Sequence, residues 1–115
     1  MIEIRKEGTR ARVYMGCLNS IVAGDIGWLR ETLLDQLKDE GNRVILDIAT
    51  IRTIDRDGFG MLQELTRSAR DAGSRFMLCN VPDEIRELII LQDLEGELMF
   101  CLCDNDDELV RLDLG

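Results

Sequence analysis

The side chains best placed for chemistry are two carboxylates, Asp55 and Asp57, which stand two positions apart directly after an apolar stretch. An Asp-x-Asp pair in this setting is typical of a magnesium or aspartyl-phosphate site. Enzymes of that kind also need a lysine on a later loop, and the chain has none after Lys38. A calcium loop starting at Asp55 would need glutamate at its twelfth position, where Thr66 stands. We therefore predict no enzyme activity and no catalytic residue.

The remaining reactive side chains favour packing over chemistry. The chain has no histidine and four cysteines: Cys17, Cys79, Cys101 and Cys103. The last two would share one face of a strand, but a metal site there would need two more ligands. Free cysteine behaves as a small buried hydrophobic residue. We predict reduced core cysteines, no metal site and no cofactor.

Composition predicts one globular domain over residues 1–115, because 45% of the residues are hydrophobic, 32% are charged and one is proline. The sequence shows no secretory leader and no membrane-spanning apolar run, which predicts a cytoplasmic protein without membrane insertion. The net charge of −9 arises after position 82, where eleven acidic residues accompany two arginines. This balance disfavours nucleic acid as partner. The acidic residues either serve solubility and helix N-termini or favour a basic protein surface as partner.

Apolar spacing predicts the element order β-β-α-β-α-β-α-β-α. Asp25 is the predicted cap of the first helix and Asn105 that of the last. The successive strand-helix-strand units imply an α/β fold with a mixed, mostly parallel five-stranded sheet. Alternation in the second and third strands predicts helices packed mainly on one face. The predicted strands cover 2–6, 11–17, 43–48, 75–79 and 97–103, and the predicted helices cover 25–41, 57–72, 83–92 and 106–112.

The segment from Thr53 to Gly60 is predicted to open the second helix. Asp57 is a strong N-cap residue, and one interpretation is that it merely caps the helix. Gly58 and Gly60 leave the first helical turn without large side chains, which lets another backbone approach closely. Phe59 between them is either a core residue or, if exposed, an interface anchor.

Three segments of the chain resemble the STAS domains, the family of the anti-sigma factor antagonists. The family signature is an apolar strand followed by Asp-Ser-Ser-Gly-Leu-Gly, and residues 55–60 here read Asp-Arg-Asp-Gly-Phe-Gly. Residues 16–19 read Gly-Cys-Leu-Asn where the family often has Gly-x-Leu-Asp, and residues 72–78 resemble the family's passage from a helix end into a strand. The resemblance covers about residues 2 to 112 and implies a single STAS-like α/β domain.

The resemblance also implies a binding loop and a switch. Similar proteins bind a serine-kinase anti-sigma factor when a loop serine is bare and release it when that serine is phosphorylated. Asp57 matches the phosphoacceptor, Arg56 the serine before it, and Asp55 the family's aspartate. An aspartate accepts no phosphate from a serine kinase, and its charge of −1 falls short of the roughly −1.5 to −2 of phosphoserine. The implied partner-binding loop consists of Thr53, Asp55, Arg56, Asp57, Gly58, Phe59 and Gly60.

Several alternatives stay open at this point. Asp57 either mimics the phosphorylated state, which locks the protein out of one complex, or meets a matching basic pocket and binds constitutively. Arg56 could neutralise a neighbouring aspartate. Thr53, Thr50 and Ser20 are the other candidate phosphoacceptors. The alternative function is an accessory STAS subunit that docks to a transporter or signalling assembly without a switch. The unpaired first strand also predicts a possible homodimer.

Overall fold

The computed structural model describes residues 2–16, 18–22, 24, 26–93 and 96–101. These residues form seven strands and three helices. The strands are β1 Glu3–Glu7, β2 Arg10–Tyr14, β3 Ser20–Ile21, β4 Arg43–Asp47, β5 Thr53–Ile54, β6 Arg75–Cys79 and β7 Phe100–Cys101. The helices are α1 Ile26–Leu37, α2 Arg56–Ala72 and α3 Asp83–Gln92.

The main sheet has five strands in the order β1-β2-β4-β6-β7. The first two strands pair antiparallel, through a hairpin turn in which Gly8 adopts a φ of 64°. All other pairs of this sheet are parallel. The predicted α/β fold with a mixed, mostly parallel five-stranded sheet is therefore confirmed.

The core lies between the sheet and the three helices. Val44 and Leu46 of β4 and Phe76 and Leu78 of β6 face the helices, because alternate strand residues point to the same side. Ile45 belongs to a separate buried cluster with Met77 and Cys79 on the opposite face. The helices thus pack on one face, as the alternation predicts. None of the described helices has the length and apolarity to cross a membrane. The buried helix residues are Leu29, Leu33, Leu37, Gly58, Phe59, Met61, Leu62, Leu65, Thr66, Ala69, Ile85 and Ile89.

The last predicted strand begins too early in the sequence prediction. The carboxylate of Asp93 accepts hydrogen bonds from the backbone N–H of Glu97, at 3.1 Å, and of Leu98, at 2.9 Å. These bonds hold 97–98 outside the sheet ladder, so β7 begins at Phe100. Among the cysteines, the side chain of Cys79 is described, and it is fully buried as predicted. The caps predicted at Asp25 and Asn105, the helix 106–112, Cys17, Cys103 and the side chain of Cys101 lie outside the described residues.

A second, two-stranded parallel sheet of β3 and β5 is missing from the sequence prediction, which treats 19–24 and 49–53 as loops. Ser20 pairs with Thr53 and Ile21 with Ile54. The backbone N–H of Arg52 also donates to the carbonyl of Asn19, at 2.7 Å. Strands of two residues are too short to show a period, so only the pairing of distant segments reveals them.

Asp47 organises the end of β4, from which the chain runs toward β5. Its Oδ2 accepts hydrogen bonds from Arg12 Nη2, at 3.1 Å, and from Asn80 Nδ2, at 3.0 Å. Its Oδ1 accepts the backbone N–H of Ala49 at 3.0 Å. Only 8% of Asp47 is exposed. One buried carboxylate therefore joins β2, β4 and the segment after β6.

We expect Asp47→Ala to lower the free energy of unfolding by about 3 to 5 kcal/mol, because it leaves the Arg12 guanidinium buried without its carboxylate. Urea unfolding followed by circular dichroism measures the change. The matched control is Asp35→Ala, since Asp35 pairs with Lys38 at 2.9 Å but both side chains are more than 60% exposed. Equal losses for the two variants would contradict the structural role of Asp47.

An ion pair joins the outer sides of α1 and α2. Arg30 Nε donates to Glu64 Oε2 at 2.8 Å, and Arg30 Nη2 donates to the same oxygen. The hydrogen bond from Arg30 lowers the pKa of Glu64 below the ordinary value of a glutamate. Both side chains are about 40% exposed, so water screens the pair and the stabilisation is small.

This lowered pKa predicts a pH dependence. The pair stabilises the fold fully above the pKa of glutamate in the unfolded chain, about 4.3. The contribution is lost as the pH falls through the lower pKa of the folded protein. We expect the stability difference between wild type and Glu64→Gln to be constant near neutral pH and to vanish in acid. Urea unfolding at a series of pH values tests this, with the exposed Glu87→Gln as control; a difference that grows in acid would contradict it.

Candidate partner-binding site

The start of α2 is fixed by the small sheet. The backbone N–H of Asp55 donates to the carbonyl of Ile21 at 3.2 Å, which continues the β3–β5 pairing to the helix start. Asp55 has extended backbone angles, φ −89° and ψ −178°, and its Oδ1 accepts the N–H of Gly58 at 2.8 Å. The N–H of Phe59 donates to the carbonyl of Asp55 at 2.9 Å. Asp55 is therefore the N-cap of α2.

The interpretation in which Asp57 only caps this helix is wrong. Asp57 lies inside the first turn of α2, and its side chain is exposed. Aspartate is a good cap at either position, so residue type alone does not choose between Asp55 and Asp57. The pairing of β3 with β5 makes the choice, because it holds Asp55 in the extended conformation that an N-cap needs. A negative charge in the first turn still favours the helix dipole.

The two glycines of the loop have different roles. A Cβ atom on Gly58 would lie 2.1 Å from the carbonyl oxygen of Ile21, so the predicted close approach of another backbone is confirmed there. A Cβ atom on Gly60 would meet nothing within 4 Å. Phe59 is 7% exposed and packs in the core, so the alternative of an exposed anchor is wrong.

The exposed surface of the loop consists of Thr53, Arg56, Asp57 and Gly60. None of the ion pairs between described residues involves Arg56 or Asp57, so the predicted neutralisation by Arg56 does not form. The helix start therefore presents one carboxylate and one guanidinium to solvent, separately.

The geometry of the loop gives less support to a metal site or to another phosphoacceptor. One oxygen of Asp55 already accepts the Gly58 N–H, and the described residues contain no group of three or more potential metal ligands. Among the candidate phosphoacceptors, Thr53 is exposed and Ser20 is half-buried. Thr50 is exposed, and its Oγ1 donates to the carbonyl of Leu18 at 2.8 Å. The exposed charges at the start of α2 are better suited to contact with another charged surface than to metal binding.

We expect Gly58→Ala and Gly60→Ala to change stability in opposite directions. The first forces a Cβ atom into the Ile21 carbonyl and should cost about 1 to 3 kcal/mol. The second fills open space on a helix and should stabilise by about 0.5 to 1 kcal/mol. Paired urea titrations measure both, and each variant is the control for the other. If Gly58→Ala were as stable as Gly60→Ala, the close approach of Ile21 would be absent.

Three solved structures show the same fold. The anti-sigma factor antagonist SpoIIAA in its unphosphorylated form aligns with a TM-score of 0.72 at 12% identity, over 100% of this chain and 97% of that one. A serine-to-glutamate variant of RsbS from Moorella thermoacetica aligns with a TM-score of 0.74 at 20% identity, over 99% and 98%. The murine anion transporter Slc26a9 aligns with a TM-score of 0.73 at 14% identity, over 96% of this chain but 19% of the transporter chain.

Sequence comparison agrees with the fold. No curated protein sequence matches this chain significantly. The sequence profile of the STAS domain matches residues 17–105, which is most of the chain and includes the small sheet, the start of α2 and the strands β4, β6 and β7. The chain belongs to the STAS domain family.

Proposed function

We propose that this protein is a non-enzymatic interaction module whose surface for a bacterial anti-sigma regulator of the serine-kinase type is the start of α2, and that Asp57 holds this surface in the released state. The observation that carries the proposal is the exposed Asp57 in the first helical turn. The sequence resemblance implies that Asp57 stands at the family's phosphoacceptor position. In this proposal residues 1–115 form one domain that acts in the cytoplasm, and the charge at Asp57 is permanent, so no kinase can switch it.

The loop residues divide into a group that holds the loop's shape and a group that is exposed, and this supports the proposal. Asp55 is used as the helix cap, and Gly58 and Phe59 are buried, so these three shape the loop from within. The contact surface is then left to Thr53, Arg56, Asp57 and Gly60, which are exposed. The open space beside Gly60 lets a partner approach the helix backbone closely. A glycine that costs helix stability without any packing reason is consistent with a contact position.

The charge of Asp57 supports the proposal that no kinase switches this protein. A serine kinase transfers phosphate to a hydroxyl, which Asp57 lacks. The carboxylate instead supplies a constant charge of −1 near the positive end of α2, where phosphoserine would supply about −1.5 to −2. We infer a protein held near the phosphorylated state of the switch.

A second candidate function has one observation in its favour. The fold matches a part of the Slc26a9 anion transporter chain. In this candidate, the protein is an accessory subunit that docks to a transporter or signalling assembly, and Asp57 is a static contact. No covalent switch is then needed, which also agrees with the aspartate.

We expect Asp57→Ser to capture a serine-kinase regulator that wild type does not retain. The measurement is a pull-down from lysate of the source cell with wild type, Asp57→Ser and Asp57→Lys, followed by mass spectrometry. Asp71→Ser and Asp71→Lys are matched controls, because Asp71 is an exposed carboxylate at the other end of the same helix. Addition of ATP should then phosphorylate the Asp57→Ser variant at position 57 and release it from the regulator.

The other results decide against this proposal in distinct ways. If wild type binds a transport subunit and Asp57→Lys loses it, the accessory-subunit candidate replaces the switch. If the Asp71 variants change the bound set as much as the Asp57 variants do, the contact surface is not the start of α2.

A further inference from the structure

The outer edge of β1 is an unpaired strand edge. Within the described part of the chain, β1 pairs with β2 on one side and with no strand on the other. Its outward N–H and C=O groups thus have no strand partner among the described residues. Natural proteins normally protect such edges, because a free edge is a template for pairing with a further chain.

An apolar groove runs beside this edge. It is lined by Ile2, just before β1, by Ile4 of β1, and by Trp28 and Thr32 of α1. Its volume is about 720 Å³. Trp28 is the only tryptophan of the chain and is 43% exposed. Ile2 and Ile4 are half-buried against the core. Aromatic residues, tryptophan above all, are enriched at the centres of interfaces.

The opposite face of β1 carries charges of both signs. Glu3 and Arg5 lie on this face because they are alternate strand residues, and Arg5 Nη2 lies 3.2 Å from Glu3 Oε1. Their side chains are 57% and 67% exposed, so both can meet a new neighbour. Adjacent opposite charges on an edge make the strand complementary to itself in one antiparallel register.

We propose that the groove and edge bind a second copy of this chain, through antiparallel pairing of the two β1 strands about a two-fold axis at Ile4. In this register Glu3 faces the partner's Arg5, and Arg5 faces the partner's Glu3. Centring the pair on Arg5 would instead place two arginines opposite each other and Glu3 opposite the partner's Glu7, which is unfavourable. Charge therefore selects the Ile4 register.

The proposed dimer places the helices of both copies on the same face of one continuous sheet, because the two-fold axis is perpendicular to that sheet. The two apolar grooves then meet at the axis and Trp28 is covered. The interface is isologous, as in most homodimers. It uses no residue of the start of α2, so this inference and the proposed partner surface can fail separately.

The test is sedimentation velocity over a concentration series, with the Trp28 emission maximum as a second readout. Wild type should associate as the concentration rises, with a shift of Trp28 emission to shorter wavelength. Glu3→Arg and Arg5→Glu each place like charges across the axis and should weaken dimerisation about tenfold or more. Both positions are exposed, so the variants should keep the wild-type circular dichroism spectrum.

Charge exchange gives the decisive controls. An equimolar mixture of Glu3→Arg and Arg5→Glu should form a heterodimer, and the double variant should dimerise like wild type. Arg70→Glu makes the same change in net charge as Arg5→Glu, at an exposed site on α2, and should leave association unchanged. A wild type that stays monomeric at all concentrations would overturn the proposal. So would single variants that dimerise as wild type does, or a mixture that fails to associate.

Discussion

The contact between the Ile21 carbonyl and the first turn of α2 is the constraint on which the candidate site depends. That carbonyl accepts the N–H of Asp55 and leaves no room for a side chain on Gly58. The contact therefore fixes where α2 begins. As a result, the Asp55 carboxylate caps the helix and the Asp57 carboxylate faces solvent.

The rest of the domain holds this contact in place. Asp47 anchors the end of β4 through Arg12, Asn80 and the Ala49 N–H, so the chain enters β5 from a fixed point. The buried stripe of α2 then packs the helix onto the sheet. A charged surface is thus presented by a loop on a rigid scaffold, which is the usual arrangement for recognition. In the proposed complex, little ordering of the helix start would be needed.

The two proposed surfaces differ in polarity. The start of α2 is polar and charged, with the carboxylate of Asp57 and the guanidinium of Arg56 both exposed. The β1 edge is apolar on one face and bears a self-complementary pair of charges on the other. A dimer built on the second surface would present two copies of the first. Binding of a partner that is itself dimeric would then gain from effective concentration without any new contact at the loop.

The sequence by itself determined the order of the long elements, the faces of β4 and α2 and the resemblance of the loop, because these depend on periods and residue types that are local. Burial of Leu62, Leu65 and Ala69 follows from helical spacing alone. Only the tertiary structure decided that β3 and β5 exist, that Asp55 rather than Asp57 is the cap, and that Asp93 delays the last strand to Phe100. Each of these depends on hydrogen bonds between distant segments or between a side chain and the backbone. The spacing of apolar residues along the sequence does not encode such bonds.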